Sequence, residues 1–74
     1  MASEESSRDD DLSPRQREVV KLIAEDLTSK VIASRMSLSV KTVLFHRQEI
    51  KRRLNVRGTA GIVRYAIRHG IIEP

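Results

Sequence analysis

From the twelfth residue onward the apolar positions of this chain recur at helical spacing. Val19, Val20, Ile23, Ala24 and Leu27 return at helical intervals, while Arg17, Lys21 and Glu25 fall largely on the other side; this predicts an amphipathic helix. Its start is marked by Ser13-Pro14-Arg15-Gln16, an N-cap serine, a proline at the first helical position and a glutamine placed to close a capping box. Its end is predicted near Asp26, a residue type that tolerates the left-handed conformation. Thr28 then caps a shorter second helix reaching Met36, with Ile32, Ala33 and Met36 on its apolar face and Ala33 small enough for close backbone approach. Ser37-Leu38-Ser39 breaks the pattern, with Leu38 turned inward and Ser39 placed to cap a third helix from Val40 to Leu54. Val40, Val43, Ile50 and Leu54 form its apolar stripe, and Asn55-Val56-Arg57-Gly58 ends it. Thr59 is expected to cap a fourth helix reaching about His69, apolar at Ile62, Val63, Ala66 and Ile67, with Gly70 as its stop. The expected fold is all-α: a four-helix bundle whose second and third helices, joined by a short turn, form a helix-turn-helix motif.

Composition narrows what such a bundle can do. At 74 residues the chain holds one domain, too small for a deep catalytic cleft. It has no cysteine, and His46 and His69 are too few and too far apart for a zinc cluster, so neither metal nor other cofactor is expected. There is no nucleophile–base pair or phosphate-binding loop on which to rest an enzymatic reading. No apolar stretch approaches the roughly 20 residues that span a bilayer, and the N-terminus is acidic and polar rather than basic and then apolar. Both point to a cytoplasmic protein without a membrane partner. Charge is unevenly placed. Residues 1–11 carry five carboxylates against Arg8, for a net of −4, with almost no apolar content; they are expected to be a disordered acidic tail or a linker remnant. Residues 12–74, the domain proper, carry 13 Lys and Arg against five carboxylates, for a net of +8. That field attracts polyanions, and DNA, RNA and anionic membrane surfaces are the candidates.

The third helix carries a mixture of side chains that has a physical use in a DNA complex. On a wheel at about 100° per residue, Val40, Ile50 and Leu54 lie within about 60° of Val43 and mark the core side. Lys41, Phe45, Gln48 and Arg52 face the opposite way, flanked by Leu44 and Lys51. Gln48 has the paired donor and acceptor that match an adenine edge, and Leu44 and Phe45 have the apolar surface that meets a thymine methyl. Lys41, Lys51 and Arg52 are placed for phosphates, Ser39 and Thr42 lie at the helix N-terminus where hydroxyls and amides meet anions, and Lys30 is placed for the flanking backbone. Leu44 and Phe45 have a competing use: packing on the fourth helix, on a partner domain or in a dimer. Arg47 lies near the core stripe, so its stem is expected to pack while its head reaches solvent. His46, on a flank of that stripe, reads as packed or phosphate-proximal rather than as a ligand or general base.

The order of residues resembles the C-terminal DNA-binding domain of the LuxR/FixJ/GerE family of bacterial transcription regulators, from Leu12 to about Ile72. The segments that carry the resemblance are Leu12-Ser13-Pro14-Arg15-Gln16-Arg17-Glu18-Val19-Val20, Leu22-Ile23-Ala24, Lys30-Val31-Ile32-Ala33 and Ser39-Val40-Lys41-Thr42-Val43, then His46, Ile50 and Leu54-Asn55-Val56. The resemblance implies that the third helix enters the major groove of double-stranded DNA, with bases reached from Leu44, Phe45 and Gln48. It also implies dimerisation through the fourth helix, around Ile62, Val63 and Ala66, so that a homodimer reads an imperfect inverted repeat. RNA polymerase is a further partner to expect, and the bacterial nucleoid the expected location. The chain departs from the family's habit at Leu44, commonly a cation, at Glu49, commonly an asparagine, at Asp26, usually glycine, and at Val31, usually glutamate. Family members often carry an N-terminal receiver or ligand-sensing domain, so the chain reads either as a stand-alone regulator or as an excised output domain. Two rival readings are region 4 of a sigma factor, which the fourth helix argues against, and a helical protein-interaction module anchored by Leu44 and Phe45.

Overall fold

The computed structural model describes residues 12–73; the acidic stretch expected to be a tail lies outside the described residues. Among them are four helices and no strand: α1 (Pro14–Ala24), α2 (Ser29–Met36), α3 (Val40–Leu54) and α4 (Thr59–Arg68). Three begin as the sequence predicts. The Gln16 amide donates to Ser13 Oγ at 3.1 Å and the Ser13 amide to Gln16 Oε1 at 3.2 Å, closing the capping box. Thr28 Oγ1 accepts from the Val31 amide and Ser39 Oγ from the Thr42 amide. Each cap satisfies a first-turn amide that lacks an intrahelical acceptor, a contribution of about 1 kcal/mol. The fourth start differs. Gly58 is the N-cap of α4 and makes no side-chain cap bond, while Thr59 is the first helical residue and its hydroxyl accepts from Arg47 Nη2 at 3.1 Å.

All four helices stop in the same way. A residue with left-handed backbone follows each one: Asp26 (φ 70°), Ser37 (φ 57°), Asn55 (φ 58°) and Gly70 (φ 70°). The amide of that residue donates to the carbonyl three residues back, and the next amide to the carbonyl five residues back, with all eight distances between 2.8 and 3.4 Å. This is the Schellman arrangement, and its accompanying apolar contact comes next in sequence each time, from Leu27, Leu38, Val56 and Ile71 packed partly buried against the core. Only one of the four stops uses glycine. Asp and Asn reach the left-handed region through local hydrogen bonding of a short polar side chain, whereas Ser37 does so at greater steric cost, inside the helix-turn-helix turn.

The core is formed by Leu12, Val19, Val20, Leu22, Ile23, Ile32, Ala33, Val43, Ile50, Ile62 and Ala66, all buried. α1 lies at its centre and packs on each of the other three helices, most extensively on α4, while α2 packs chiefly on α3. Two expectations are corrected here. Val40 is 42% exposed and takes no part in the core stripe of α3, because in the first turn the helix has only just left the surface turn at Ser39. Ile62 and Ala66 are fully enclosed within the domain. They hold α4 against α1 and the core, and cannot present side chains to a second copy.

Candidate nucleic-acid interface

With Val43 and Ile50 fully buried, α3 is fixed in rotation, and its opposite side stands free of the bundle. Lys41, Leu44, Phe45, Gln48 and Arg52 are all exposed there, as the wheel predicts. Leu44 is 49% and Phe45 60% exposed, so each keeps about half or more of its surface open to a partner outside the domain. Lys30 is exposed in the first turn of α2, Thr42 and Lys51 are half-buried, and Ser39 is exposed at the start of α3. The structure therefore places the nine residues assigned to bases or phosphate on α3 and on the first turns of α2 and α3.

The N-terminus of α3 is arranged around two hydroxyls. Ser39 Oγ accepts from the Thr42 amide at 3.0 Å and donates to Thr42 Oγ1 at 2.9 Å. The hydroxyl–hydroxyl bond ties Ser39 to Thr42, so Ser39 acts by holding Thr42 in place, and one hydroxyl proton of the pair is left to donate outward. No acidic residue occupies the first turn, so nothing there repels an anion drawn to the helix dipole.

At the other end, Lys51, Arg52 and Arg53 occupy the last turn, where cations also complement the dipole. An open groove there is lined by Gln48, Glu49, Lys51, Arg52, Asn55, Val56 and Arg57. Arg57 was not legible from the sequence as part of this surface. It follows α3 in the chain, and only the left-handed stop at Asn55, which turns the backbone back on itself, brings it beside the last turn. The signal was present in Asn55, a residue type suited to that stop. Arg52 also differs from expectation, because its Nη2 donates to Glu49 Oε1 at 2.6 Å and its charge is already paired. Arg53 Nε lies 3.8 Å from the same oxygen. The hydrogen bond from Arg52 holds the Glu49 carboxyl below the usual carboxylate range, against a smaller opposing effect of desolvation and with help from the charges of Arg52 and Arg53.

Two neighbouring residues play supporting parts. Arg47 is half-buried, and through Thr59 it ties α3 to the start of α4, as expected of a packed stem with an outward head. His46 is half-buried beside the Phe45 ring, with centroids 6.1 Å apart, and its Nδ1 is enclosed without a hydrogen-bond partner among the described residues. No group of three or more potential metal ligands occurs among the described residues, and no helix there is long and apolar enough to cross a membrane.

A helical pair with a short turn, an outward basic helix and exposed apolar residues among its cations fits the recurrent geometry of DNA-reading helices. Comparison with known proteins agrees. The family model for bacterial regulatory proteins of the luxR family matches residues 10–66. The chain is 39% identical over 64 residues to the transcriptional regulatory protein MctR of Rhizobium johnstonii, covering 86% of this chain and 30% of that one. It is 38% identical over 65 residues to the uncharacterized response regulatory protein YgeK of Escherichia coli, covering 88% and 44% of the two chains. With the oxygen regulatory protein NreC of Staphylococcus carnosus it shares 36% identity over 62 residues, covering 84% and 29%. The chain thus spans less than half the length of each of these relatives. No solved structure matches it. The family match takes in the capping box, the helix-turn-helix pair and most of α4, and the chain therefore belongs to the luxR family of bacterial regulatory proteins.

Proposed function

We propose that this chain is a sequence-specific duplex-DNA-binding domain of a transcription regulator that lays α3 in the major groove. The observation that carries the reading is the face of α3 opposite Val43 and Ile50, where Leu44, Phe45 and Gln48 stand exposed among cations. A helix is about 10–12 Å across with its side chains, and the major groove about 12 Å wide, so one helix fills it and brings such side chains to the base edges. Gln48 pairs with an adenine edge, and Leu44 and Phe45 contact thymine methyls. Lys30, Lys41, Lys51 and Thr42 take phosphates, with Arg57 added at the end of α3 and Ser39 supporting Thr42. The family relationship supports the same reading. The luxR-family relatives are named as regulators, and RNA polymerase is the expected second partner once DNA is held.

The active form on DNA is a homodimer on an imperfect inverted repeat, matching protein two-fold symmetry to operator symmetry. With Ile62 and Ala66 committed to the core, the contact falls to the outer side of α4, where half-buried Val63 lies near Ile67, 39% exposed. Selection of bound sequences from a random duplex pool tests the whole reading. The expected result is an enriched half-site and an affinity that falls steeply with salt. No duplex affinity at low salt would overturn it in favour of a protein-interaction module anchored on Leu44 and Phe45.

A further inference from the structure

Val40, Leu44 and Phe45 are three of the five large apolar side chains left exposed among the described residues, at 42%, 49% and 60%. Single exposed apolar residues are ordinary, but three within the first two turns of one helix form a contiguous strip. Val40 and Leu44 are four residues apart, so they share one side of α3 and lie about 6 Å from each other along its axis. Val40 takes no part in the core. The turn that carries it is nevertheless firmly held: the Thr42 amide donates to Ser39 Oγ at 3.0 Å, and the two hydroxyls are bonded at 2.9 Å. A valine in a helix also has one strongly preferred rotamer. Its methyl groups therefore stand at a fixed place, with little entropy left to lose when a partner meets them.

We propose that Val40 is a specificity-determining residue of the DNA interface, extending Leu44 and Phe45 into a strip that reads the 5-methyl groups of thymines on neighbouring base pairs. In the major groove that methyl is what thymine presents beside its O4 acceptor, and an apolar side chain is its natural partner. The first residues of a recognition helix are the ones that reach base edges. Lys41, exposed beside Val40, draws the phosphate backbone to the same turn. A valine packed on a methyl neutralises no phosphate and releases no counterion, so its contribution appears only on a site that carries the methyl and leaves binding to duplex at large unchanged. The inference rests on the assignment of α3 as the DNA-reading helix.

The test compares the wild-type chain with Val40→Ala on a random-sequence duplex and on the duplex recovered by selection, across a salt series. Each thymine of the selected duplex is also replaced in turn by deoxyuridine, which keeps every hydrogen-bonding group of the base and lacks only the methyl. Val40→Ala is expected to bind the selected duplex about fourfold more weakly, with random-duplex affinity, salt slope and melting temperature close to wild type. Deoxyuridine at the thymine that Val40 meets should weaken the wild type by about the same factor, and on that duplex Val40→Ala should add nothing further. Equal affinity of wild type and Val40→Ala for the selected duplex would overturn the proposal. So would a Val40→Ala loss that is the same on every deoxyuridine duplex, since that assigns Val40 to support of the helix and not to a methyl. A recovered half-site without thymine would overturn it while leaving α3 as the reading helix. A wild-type chain that binds no duplex at any salt would instead bring down the assignment of α3 itself.

Discussion

At the scale of single residues, the outward face of α3 separates two kinds of contact with different signatures. Gln48 has both a donor and an acceptor on one rigid amide, so its value depends on which base edge it meets. Replacing Gln48 with alanine is expected to cost roughly 1–3 kcal/mol on the selected duplex and little on random DNA. Measured by titration of both duplexes, an unchanged site preference would place the reading residues elsewhere. Lys41 is a point charge and carries no sequence information. Lys41→Ala should weaken both duplexes to a similar degree and flatten the salt slope by about one; a loss confined to the selected duplex would instead make Lys41 a base-reading residue. Glu49 follows a third logic. Its folded-state pKa lies below the ordinary value, so the Arg52 interaction is fully present above the usual carboxylate pKa. It is lost only as pH falls through the lowered value, and at neutral pH the carboxylate is charged and the arginine held.

Among the elements, the helix ends control how the site is displayed. The left-handed stop at Ser37 sets the angle between α2 and α3, and the one at Asn55 brings Arg57 beside the last turn of α3. The approach of α4 depends on Gly61. A Cβ on Gly61 would stand 2.6 Å from Val56 Cβ and 2.9 Å from Val56 Cγ1, too close for either backbone to remain where it is. Two effects oppose each other on Gly61→Ala, since alanine improves helix propensity by about 0.8–1 kcal/mol while overpacking costs typically 1–3 kcal/mol. The atom in the way is the Cβ of Val56, a branched residue fixed by its own contact with the core, so overpacking prevails. Gly61→Ala is expected to lower stability by about 1 kcal/mol in urea denaturation. A gain in stability would show that the connection between α3 and α4 yields easily.

For the whole molecule, the decisive property is how few residues are spare. The described part has a radius of gyration of 11.6 Å, and α1 is surrounded by the other three helices, so every helix must give one face to a single core. What each helix has left is what it can offer a partner: on the function proposed above, the cationic face of α3 to DNA, and the side of α4 near Val63 and Ile67 to a second copy. Ile67→Asp places a charge on that side without touching the core. It should leave the melting temperature close to wild type while abolishing the two-chain complex on an inverted repeat, as read by sedimentation with and without duplex. A two-chain complex that survives the substitution, or a wild type bound as a single chain on the repeat, would refute dimerisation through this side of α4.

Much of this architecture was fixed by local chemistry and could be read from the sequence. Ser13, Thr28 and Ser39 begin helices because their side-chain oxygens reach amides three residues ahead, and Asp26 and Gly70 end them because their backbones tolerate the left-handed region. The rotation of α3 followed from the spacing of Val43 and Ile50, and with it the exposure of Leu44, Phe45 and Gln48. Other features depended on neighbours distant in sequence. Periodicity marked Ile62 and Ala66 as apolar but gave no sign of whether the partner was this core or another chain; packing against α1 decided that. Thr59 looked like a cap until Arg47, 12 residues earlier, proved to hold its hydroxyl. Arg52 read as a free cation because a helical wheel records direction and not the rotamer that brings a guanidinium onto Glu49. Hydrogen bonding to the adjacent backbone is encoded locally, whereas the choice among equally apolar or equally charged partners is made only when the helices pack.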